Sequence, residues 1–396
     1  MTPAIVTLFA ADRRAKKAGE LTFGASLNER RRVEASKDTA VPREPLWIQA
    51  KDVAIKMDLF GLVLIGFIFG LILFPISLAK TVNRGWANPS IIAMIVVGVV
   101  LIPVFVIWER FFAPVAIMPR RIITNRAFLC AVGIDFFYNF SGFLRSLYLS
   151  SFVWVVTNWN TREWVYFNNT MTITLCVFGL IAGLILRYTR RYKFLQISGL
   201  CIRILGLGLM VAANGAIAPT VQLVWTQILI GMGGAFSVVG SRVGSQASVP
   251  HEDLASVIAL LSLWSSLGTS VGSATATAIW TSNMPDNLAK YLPGVPAATI
   301  QKLYGSIKSA RDAAPEIRAG VIQAYAVTTR PMFISALGLS FISLILAFFM
   351  PNFFLGDTHN AVDGKNVAGE RAADATVGTS STPINQRAAA EDELVR

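Results

Sequence analysis

The sequence predicts an all-α polytopic membrane protein with eight transmembrane helices, arranged as a pair of helices followed by a six-helix bundle. Of the 396 residues, 54% are hydrophobic and only 15% are charged, and the mean hydropathy is +0.56, which is outside the range of soluble domains. Eight apolar windows are each close to the roughly 20 residues that cross a bilayer as a helix. None shows the alternation typical of a membrane barrel, so their backbone groups must bond within each segment.

The apolar windows, taken in order, divide the chain. They lie at 59–79, 90–108, 127–157, 167–186, 195–213, 219–240, 254–280 and 331–350. A basic break after residue 108 separates the first two from the other six. We therefore expect two helices in 58–108 and a six-helix bundle in 109–350, with a long loop at 281–330.

The two ends of the chain are polar. Residues 1–57 form a basic segment whose first ten residues are apolar but too short to span a membrane. We interpret residues 1–10 as the stump of a lost helix, because a signal peptide would carry its charges before the apolar run. Residues 351–396 are rich in Ala, Thr, Ser, Asp and Glu without periodicity, which predicts a disordered tail.

Basic residues in the short loops predict the orientation. Eleven Lys and Arg residues precede the first window, and the loops at 109–126 and 187–193 hold four each. We therefore expect both termini in the cytosol. The long outer loop at 281–330 also holds six basic residues, although the rule weakens as loops lengthen. The net charge of +12 is thus explained mostly by topology, and we expect no nucleic-acid partner.

Residues that usually carry enzyme or metal chemistry are scarce. Cys130, Cys176 and Cys201 all fall inside apolar windows and are expected to be core residues, while His251 and His359 stand far from other ligand types. The sequence also lacks a phosphate-binding loop and a nucleophile motif. We expect no metal site, no cofactor and no enzymatic activity.

The third window carries polar residues at helical spacing. A charge near the bilayer centre costs roughly 2.5–3.5 kcal/mol, so the face that bears them must look into protein or water. Arg145 lies about 80° off this face and about 15 Å along the helix from Asp135, so the two cannot pair directly. The members of the face are Asp135, Tyr138, Asn139, Gly142, Ser146 and Ser150.

The fifth window offers Asp135 a partner. Arg203 shares a helix face with Gln196, Gly199 and Gly206, and we predict that it pairs with Asp135 across helices. The alternative is that Arg203 snorkels to an interface or binds backbone carbonyls. For Asp135, a role in substrate or proton binding and a purely structural role are both open.

Small residues in the sixth and seventh windows indicate close helix packing. Gly268 and Gly272 form a GxxxG arrangement beside a stripe of serines and threonines, which we interpret as packing rather than as a site. In the sixth window Gln222 shares a face with Thr226. The glycines that follow at 231, 233 and 234 predict a flexible or closely packed point.

Two short amphipathic helices are predicted in the outer loop, either lying in the headgroup layer or forming a lid. The first is indicated by the helical spacing of Ile300, Leu303, Tyr304 and Ile307. The second, behind Pro315, is indicated by Ile317, Val321, Ile322 and Tyr325. Helices with one polar face each and few charges are typical of a transporter cavity, whereas channels carry filters or rings of charge.

Three stretches resemble known transporters. GLIAGLILRYTRRYK, at 179–193, resembles a loop motif of major facilitator transporters, with Leu186-Arg187 where the family has an acidic residue. DLFGLVLIGFIFGLILFPISLA and WANPSIIAMIVVGVVLIPVFVIWE resemble the linker helices of fourteen-span members. AFLCAVGIDFFYNFSGFLRSLYLSSFVWVV, REWVYFNNT and IGMGGAFSVVGSRVGSQASVPHEDLASVIAL are similar to fungal siderophore-iron transporters, which are proton symporters for ferric siderophores. The resemblance covers about residues 44–355.

The resemblance implies a fold of two six-helix bundles, of which this chain holds the second together with the linker pair. It implies N-terminal truncation, so that function would require the missing half or a dimer. The implied location is the plasma membrane or an endosomal vesicle. A fourteen-span drug:proton antiporter and a truncated protein that does not transport are the alternatives.

The resemblance also assigns roles. A ferric hydroxamate is bulky, oxygen-rich and nearly neutral, which suits aromatic walls and a few donors, while Asp135 would couple protons. Arg187, Arg190 and Arg191 would belong to a gating loop. The substrate-binding or proton-coupling candidates are Asp135, Tyr138, Asn139, Arg145, Arg203, Gln222, Tyr304 and Tyr325, the last two as contacts at the mouth.

Overall fold

The computed structural model describes residues 58–79, 85–113, 117, 120–213, 219–250 and 253–355, together with residues 47, 51 and 55. The predictions of a basic segment at 1–57, a helix stump at 1–10 and a disordered tail fall almost entirely outside these residues. Within them, eight helices are long and apolar enough to cross a membrane. The described residues form no β-strand beyond one isolated bridge, between Arg191 and Phe354. The predicted fold class, an all-α polytopic membrane protein, is confirmed.

The first two windows form an antiparallel pair, α1 (Leu59–Leu78) and α2 (Pro89–Ile107), followed by a short π-helical turn at Trp108–Phe112. Asp58 caps α1 by accepting a hydrogen bond from the Gly61 amide at 3.2 Å. The same carboxylate accepts a bond from the indole of Trp108 at 3.1 Å. A single buried carboxylate therefore joins the start of α1 to the end of α2.

The third window is split into α4 (Arg126–Ser146) and α5 (Leu149–Val156), after a short helix α3 (Arg120–Ile123). Asn125 caps α4 by accepting bonds from the amides of Ala127 and Phe128, a role for which asparagine is well suited. Its side-chain amide also donates to the carbonyl of Ser248 at 2.9 Å. This bond fixes the start of α4 against the end of a later helix.

The next three windows form α6 (Thr161–Thr189), α7 (Tyr192–Ala212) and α8 (Thr220–Ala247). Asn160 and Glu163 form a reciprocal capping box at the start of α6. Arg190 ends α6 in the left-handed conformation, with φ of 51°. The turn between α6 and α7 is therefore tight, and its two helices run antiparallel.

The last two windows extend into helices much longer than the windows themselves. They are α9 (Leu254–Tyr291) of 38 residues and α12 (Pro315–Phe349) of 35 residues, joined by α10 (Ala297–Gly305) and α11 (Ile307–Arg311). The first predicted amphipathic helix corresponds to α10. The prediction of a second short helix behind Pro315 was wrong, because that segment is continuous with the spanning helix and simply forms its first turns.

Helix α4 lies at the centre of the bundle and packs against α9, α12 and α8, while α7 and α6 pack against α8. The predicted close packing at the GxxxG arrangement is confirmed. A Cβ atom added at Gly268 would lie 2.4 Å from the carbonyl oxygen of Phe136, and one at Gly272 would lie 2.7 Å from that of Phe140. Serine and threonine hydroxyls of α9, such as that of Ser266, donate to carbonyls of their own helix, so they serve the helix rather than a shared site.

The end of the bundle where α5 finishes, here called the far end, is covered by α10 and α11. The guanidinium carbon of Arg311 lies 3.5 Å from the ring centroid of Trp154, and its nitrogens donate to the carbonyls of Trp154, at 3.1 Å, and Trp159. Arg318 adds a bond to the side chain of Asn158 at 2.8 Å. Arg311 thus fastens α11, and Arg318 fastens the start of α12, to the α5–α6 connection.

Candidate functional site

Helix α4 directs a series of polar side chains into the bundle on successive turns. Asp135, Tyr138, Ser141 and Arg145 are all buried, whereas Asn139 on the neighbouring edge of the helix is half-buried. The predicted orientation of this helix face, away from lipid and into protein, agrees with these positions. The polar groups of this series are met by α6, α7, α8 and α12.

Asp135 is 5% exposed and accepts a hydrogen bond from the hydroxyl of Ser241 on α8, with 2.7 Å between the oxygens. The predicted pair between Asp135 and Arg203 does not form. Arg203 reaches α4 about one turn further along, next to Tyr138, so each group meets a different partner. Asp135 and Arg203 are both charged and both buried, which suggested that they pair. Which groups actually meet is determined by the relative register of α4 and α7.

Arg203 is 2% exposed and lies across the face of Tyr138. Its guanidinium carbon is 3.6 Å from the centroid of the phenol ring, a distance at which the cation is attracted to the ring. Its Nη2 donates to the backbone carbonyl of Tyr138 at 2.8 Å and to the hydroxyl of Ser141 at 3.3 Å. The alternative interpretation of Arg203, as a donor to backbone carbonyls, is the one the structure supports.

Glycines bring α7 and α8 close enough for this contact. A Cβ atom added at Gly233 would lie 2.4 Å from the carbonyl oxygen of Gly199 and 2.6 Å from the amide nitrogen of Arg203. Gly206 is packed in the same way against Ile230. The glycines predicted as a flexible or closely packed point are closely packed, each against a different helix. Gly233 forms the crossing with α7, Gly231 packs against Met171 and Thr174 of α6, and Gly234 packs against Tyr138 of α4.

Arg145 is 1% exposed and bonds to groups outside the predicted face of α4. Its Nη1 donates to the side-chain oxygen of Gln227 on α8 at 3.0 Å, and its Nη2 lies 3.1 Å from the sulfur of Met171 on α6. The prediction that Arg145 needs a partner other than Asp135 is confirmed. Both partners are neutral, so the charge of the guanidinium is held in place without being cancelled.

Sequence reasoning missed Ser141, Gln227 and Ser241. Ser141 donates to the carbonyl of Ala336 on α12 at 2.8 Å and also meets the hydroxyl of Ser340. Gln227 follows directly after Thr226 in an otherwise apolar stretch, and this isolated amide was the available sign of a buried partner. Ser141 and Ser241 give no comparable sign, because small hydroxyl residues are common in packed membrane helices.

The remaining candidates from the sequence lie apart from this cluster. Gln222 is near the far end, where its amide donates to the carbonyl of Leu209 at 3.4 Å. Tyr304 is half-buried on α10, and Tyr325 is only 1% exposed, with its ring 5.4 Å from that of Trp280. Their roles as mouth contacts stay predictions.

The gating-loop candidates are found at the opposite end of the bundle, here called the near end, where α4 begins. Arg187 is in the last turn of α6, Arg190 caps it, and Arg191 is exposed. At the same end the side chains of Arg121 and Asp253 form an ion pair at 2.5 Å. The gating role of the three arginines stays a prediction.

A cleft of about 440 Å³ opens at the far end between α5, α6 and α8. Its walls include Trp159, Glu163 and Thr220, and none of the predicted site residues lines it. Across the described parts of the chain, no three His, Cys, Asp or Glu side chains come together in a way that would hold a metal ion.

No protein-family model matches the chain. It is 44% identical over 376 residues to "Siderophore transporter fer7" of Mycosarcoma maydis, covering 93% of this chain and 57% of that protein. It is 42% identical over 367 residues to "Low affinity heme transporter str3" of Schizosaccharomyces pombe, covering 92% and 57%. It is 29% identical over 325 residues to "MFS siderochrome iron transporter C" of Aspergillus fumigatus, covering 80% and 53%. The chain thus spans somewhat more than half the length of these relatives. At this similarity along almost its whole length, the chain belongs to the family of these fungal proteins, whose names describe siderophore, haem and siderochrome iron transporters.

Proposed function

We propose that the chain forms part of a secondary transporter that takes up ferric siderophore together with protons. The carrying observation is that Asp135, Arg145 and Arg203 are all buried in the interior of the helix bundle. Ionisable groups at such depth are costly and typically mark substrate or ion pathways. The relatives named as siderophore and siderochrome iron transporters support the choice of substrate.

In this proposal the polar residues of the site have two separate roles, proton coupling and substrate binding. Asp135 is the proton-coupling group, because its carboxylate is buried and bonded to one neutral hydroxyl, that of Ser241. Tyr138, Asn139, Arg145 and Arg203 contact the oxygen-rich chelate. Gln222, Tyr304 and Tyr325 belong to the route at the far end.

The other half of the cavity would come from a second six-helix bundle, because alternating access needs two bundles that move about one site. That bundle is supplied either by a segment outside these 396 residues or by a second copy of the chain. In this arrangement Arg187, Arg190 and Arg191 face the cytosol, both termini are cytosolic, and the protein acts in the plasma membrane or an endosomal vesicle rather than as an enzyme.

Haem is the second candidate substrate, favoured by the 42% identity to a protein named as a low affinity haem transporter. The two substrates share a ferric centre within a large organic ligand. Uptake assays with both substrates would rank them directly.

The test is uptake of radiolabelled ferric hydroxamate into yeast cells that lack their own transporters. The cells express the chain joined to the first half of a relative such as fer7. We expect uptake that collapses when the proton gradient is dissipated, and that Asp135→Asn abolishes this coupling. Asp286→Asn, the same substitution at an exposed site on α9, is the matched control. Absence of uptake with normal surface expression would contradict the proposal.

A further inference from the structure

We propose that Arg145 and Arg203 together form a binding site for an anionic group of the substrate, a carboxylate above all, so that the transporter prefers chelates carrying negative charge. The inference rests on the proposed function and narrows it, since a hydroxamate chelate by itself is nearly neutral. It follows from the charge balance within the bundle, from hydrogen-bond donors that have no partner, and from the position of the two side chains beside a half-buried strip of α4.

Arg145 and Arg203 carry positive charges that no acidic side chain in the described ranges offsets by an ion pair. Both guanidinium groups are buried, at 1% and 2% exposure, and arginine stays protonated in proteins. The partners of Arg145 are an amide and a thioether, and those of Arg203 are a phenol ring, a carbonyl and a hydroxyl. Neither forms an ion pair with any acidic side chain in the described ranges, and Asp135 is bonded to Ser241 instead. Two positive charges are therefore held in the bundle without a counter-charge.

Three nitrogen atoms of the two guanidinium groups lack a hydrogen-bond partner. The Nε atom of Arg145 has no hydrogen-bond partner, and neither do the Nε and Nη1 atoms of Arg203. A buried donor that loses water without gaining a partner is destabilising, more so when it is charged. The N–H groups of these three nitrogen atoms are thus free to bond to a ligand, and an anionic oxygen forms the strongest bonds with them.

The guanidinium groups of Arg145 and Arg203 lie beside the same part of α4. The Nη2 atom of Arg203 bonds to groups of Tyr138 and Ser141 and lies 3.5 Å from the point where a Cβ atom at Gly142 would be. Arg145 follows one turn after Ser141 on the same helix. The two cations therefore lie along one short section of α4.

A ligand would reach the two arginines from a strip of α4 that carries mostly small residues. Asn139, Gly142 and Ser146 form a half-buried strip of α4 that runs beside the two arginines. Gly142 has no side chain to cover the guanidinium of Arg203. A ligand seated on the strip would reach the arginine donors with little rearrangement.

The chemistry of the pair selects for carboxylates. The planar fork of a guanidinium matches the two oxygens of a carboxylate. The neutral partners fix the position of each arginine while leaving its charge for the ligand. A buried charge that gains a hydrogen-bonded counter-ion loses most of the penalty of its isolation, so an anionic chelate should bind more tightly than a neutral chelate of the same shape.

The test compares two forms of one ligand, a ferric trihydroxamate bearing a free carboxylate and its methyl ester. Binding is measured in lipid nanodiscs by quenching of tryptophan fluorescence, with the purified chain joined to the first half of a relative as in the uptake test. We expect the carboxylate form to bind at least about tenfold more tightly than the ester, which corresponds to about 1.4 kcal/mol of binding free energy. Equal affinity for the two forms in the unmodified protein would overturn the inference while leaving the proposed function standing. Binding of neither form would contradict the proposed function itself, and the inference with it.

Variants locate the effect. Arg145→Gln and Arg203→Gln should each reduce the preference for the carboxylate by severalfold, while Arg203→Lys, which keeps the charge, should retain part of it. Arg242→Gln, at an exposed arginine of α8, is the control and should leave the preference unchanged. A preference that survives in both glutamine variants would assign anion binding elsewhere and refute the proposal. If a variant fails to fold, the ester comparison in the unmodified chain still decides.

Discussion

Gly199→Ala tests the close crossing of α7 and α8 that brings Arg203 to Tyr138. The added Cβ atom would lie 2.6 Å from the Cβ of Phe236 and 2.8 Å from both the carbonyl oxygen of Gly233 and the amide nitrogen of Ser237. Ordinary contacts begin near 3.4 Å. The two helices must therefore separate by several tenths of an ångström, because two of the three obstructing atoms belong to the backbone and cannot rotate away.

The expected cost follows from this overlap. Overpacking a closed interior lowers the free energy of unfolding by about 1–3 kcal/mol. Gly208→Ala on the same helix is the control, because a Cβ atom there meets nothing within 4 Å. Alanine is favoured over glycine within a helix by up to about 1 kcal/mol, so the control should be neutral or stabilising. The two variants should differ by about 1–4 kcal/mol.

The assay is reversible unfolding in mixed detergent micelles with increasing fractions of sodium dodecyl sulfate, followed by circular dichroism. A difference of 1.4 kcal/mol changes the unfolding equilibrium about tenfold, so the expected effect is easily measured. If Gly199→Ala unfolds at the same detergent fraction as the unmodified protein and as Gly208→Ala, the close crossing does not exist in solution. The position of Arg203 would then need another explanation.

Three further variants test single contacts. Ser241→Ala leaves the buried Asp135 carboxylate without its hydrogen-bond donor and should lower the free energy of unfolding by about 1–3 kcal/mol, measured in the same assay; an unchanged value would show that water replaces the hydroxyl. Arg311→Ala removes the stacking on Trp154 and the bonds to two carbonyls, so hydrogen exchange of α10 and α11 should accelerate while that of α4 does not; uniform protection would contradict the fastening role. Asn125→Ala removes the cap of α4 and should lower the unfolding free energy by about 1 kcal/mol, with no loss meaning that the cap is not formed.

Periodicity and hydropathy were sufficient to predict the spanning helices, because a segment within lipid must satisfy its own backbone hydrogen bonds. They were insufficient for helix ends that leave the lipid. The window at 254–280 stops where polar residues begin, yet α9 continues to Tyr291, since hydropathy reports contact with hydrocarbon rather than helical conformation. The predicted helix behind Pro315 was wrong for the same reason.

The sequence predicted which charged residues are buried better than it predicted which groups they contact. The buried position of Asp135, Arg145 and Arg203 follows from the energetic penalty of charge in lipid. Which groups meet depends on the register between helices, and that register is set by glycines such as Gly233, whose packing partners are distant in sequence. The sequence therefore predicted the inward position of Asp135 correctly and its pairing with Arg203 incorrectly.

The lengths of α9 and α12 have a consequence for how the protein sits in its membrane. A helix of 38 residues is about 57 Å long if straight, whereas the hydrocarbon layer is about 30 Å thick. Both helices are therefore longer than the hydrocarbon layer is thick, and at the far end, where they continue past their apolar windows, they hold α10 and α11 outside that layer. The side chains of Lys302 and Lys308 on these helices are exposed. If this side of the protein faces outward, a membrane-impermeant amine reagent added to intact cells would modify them.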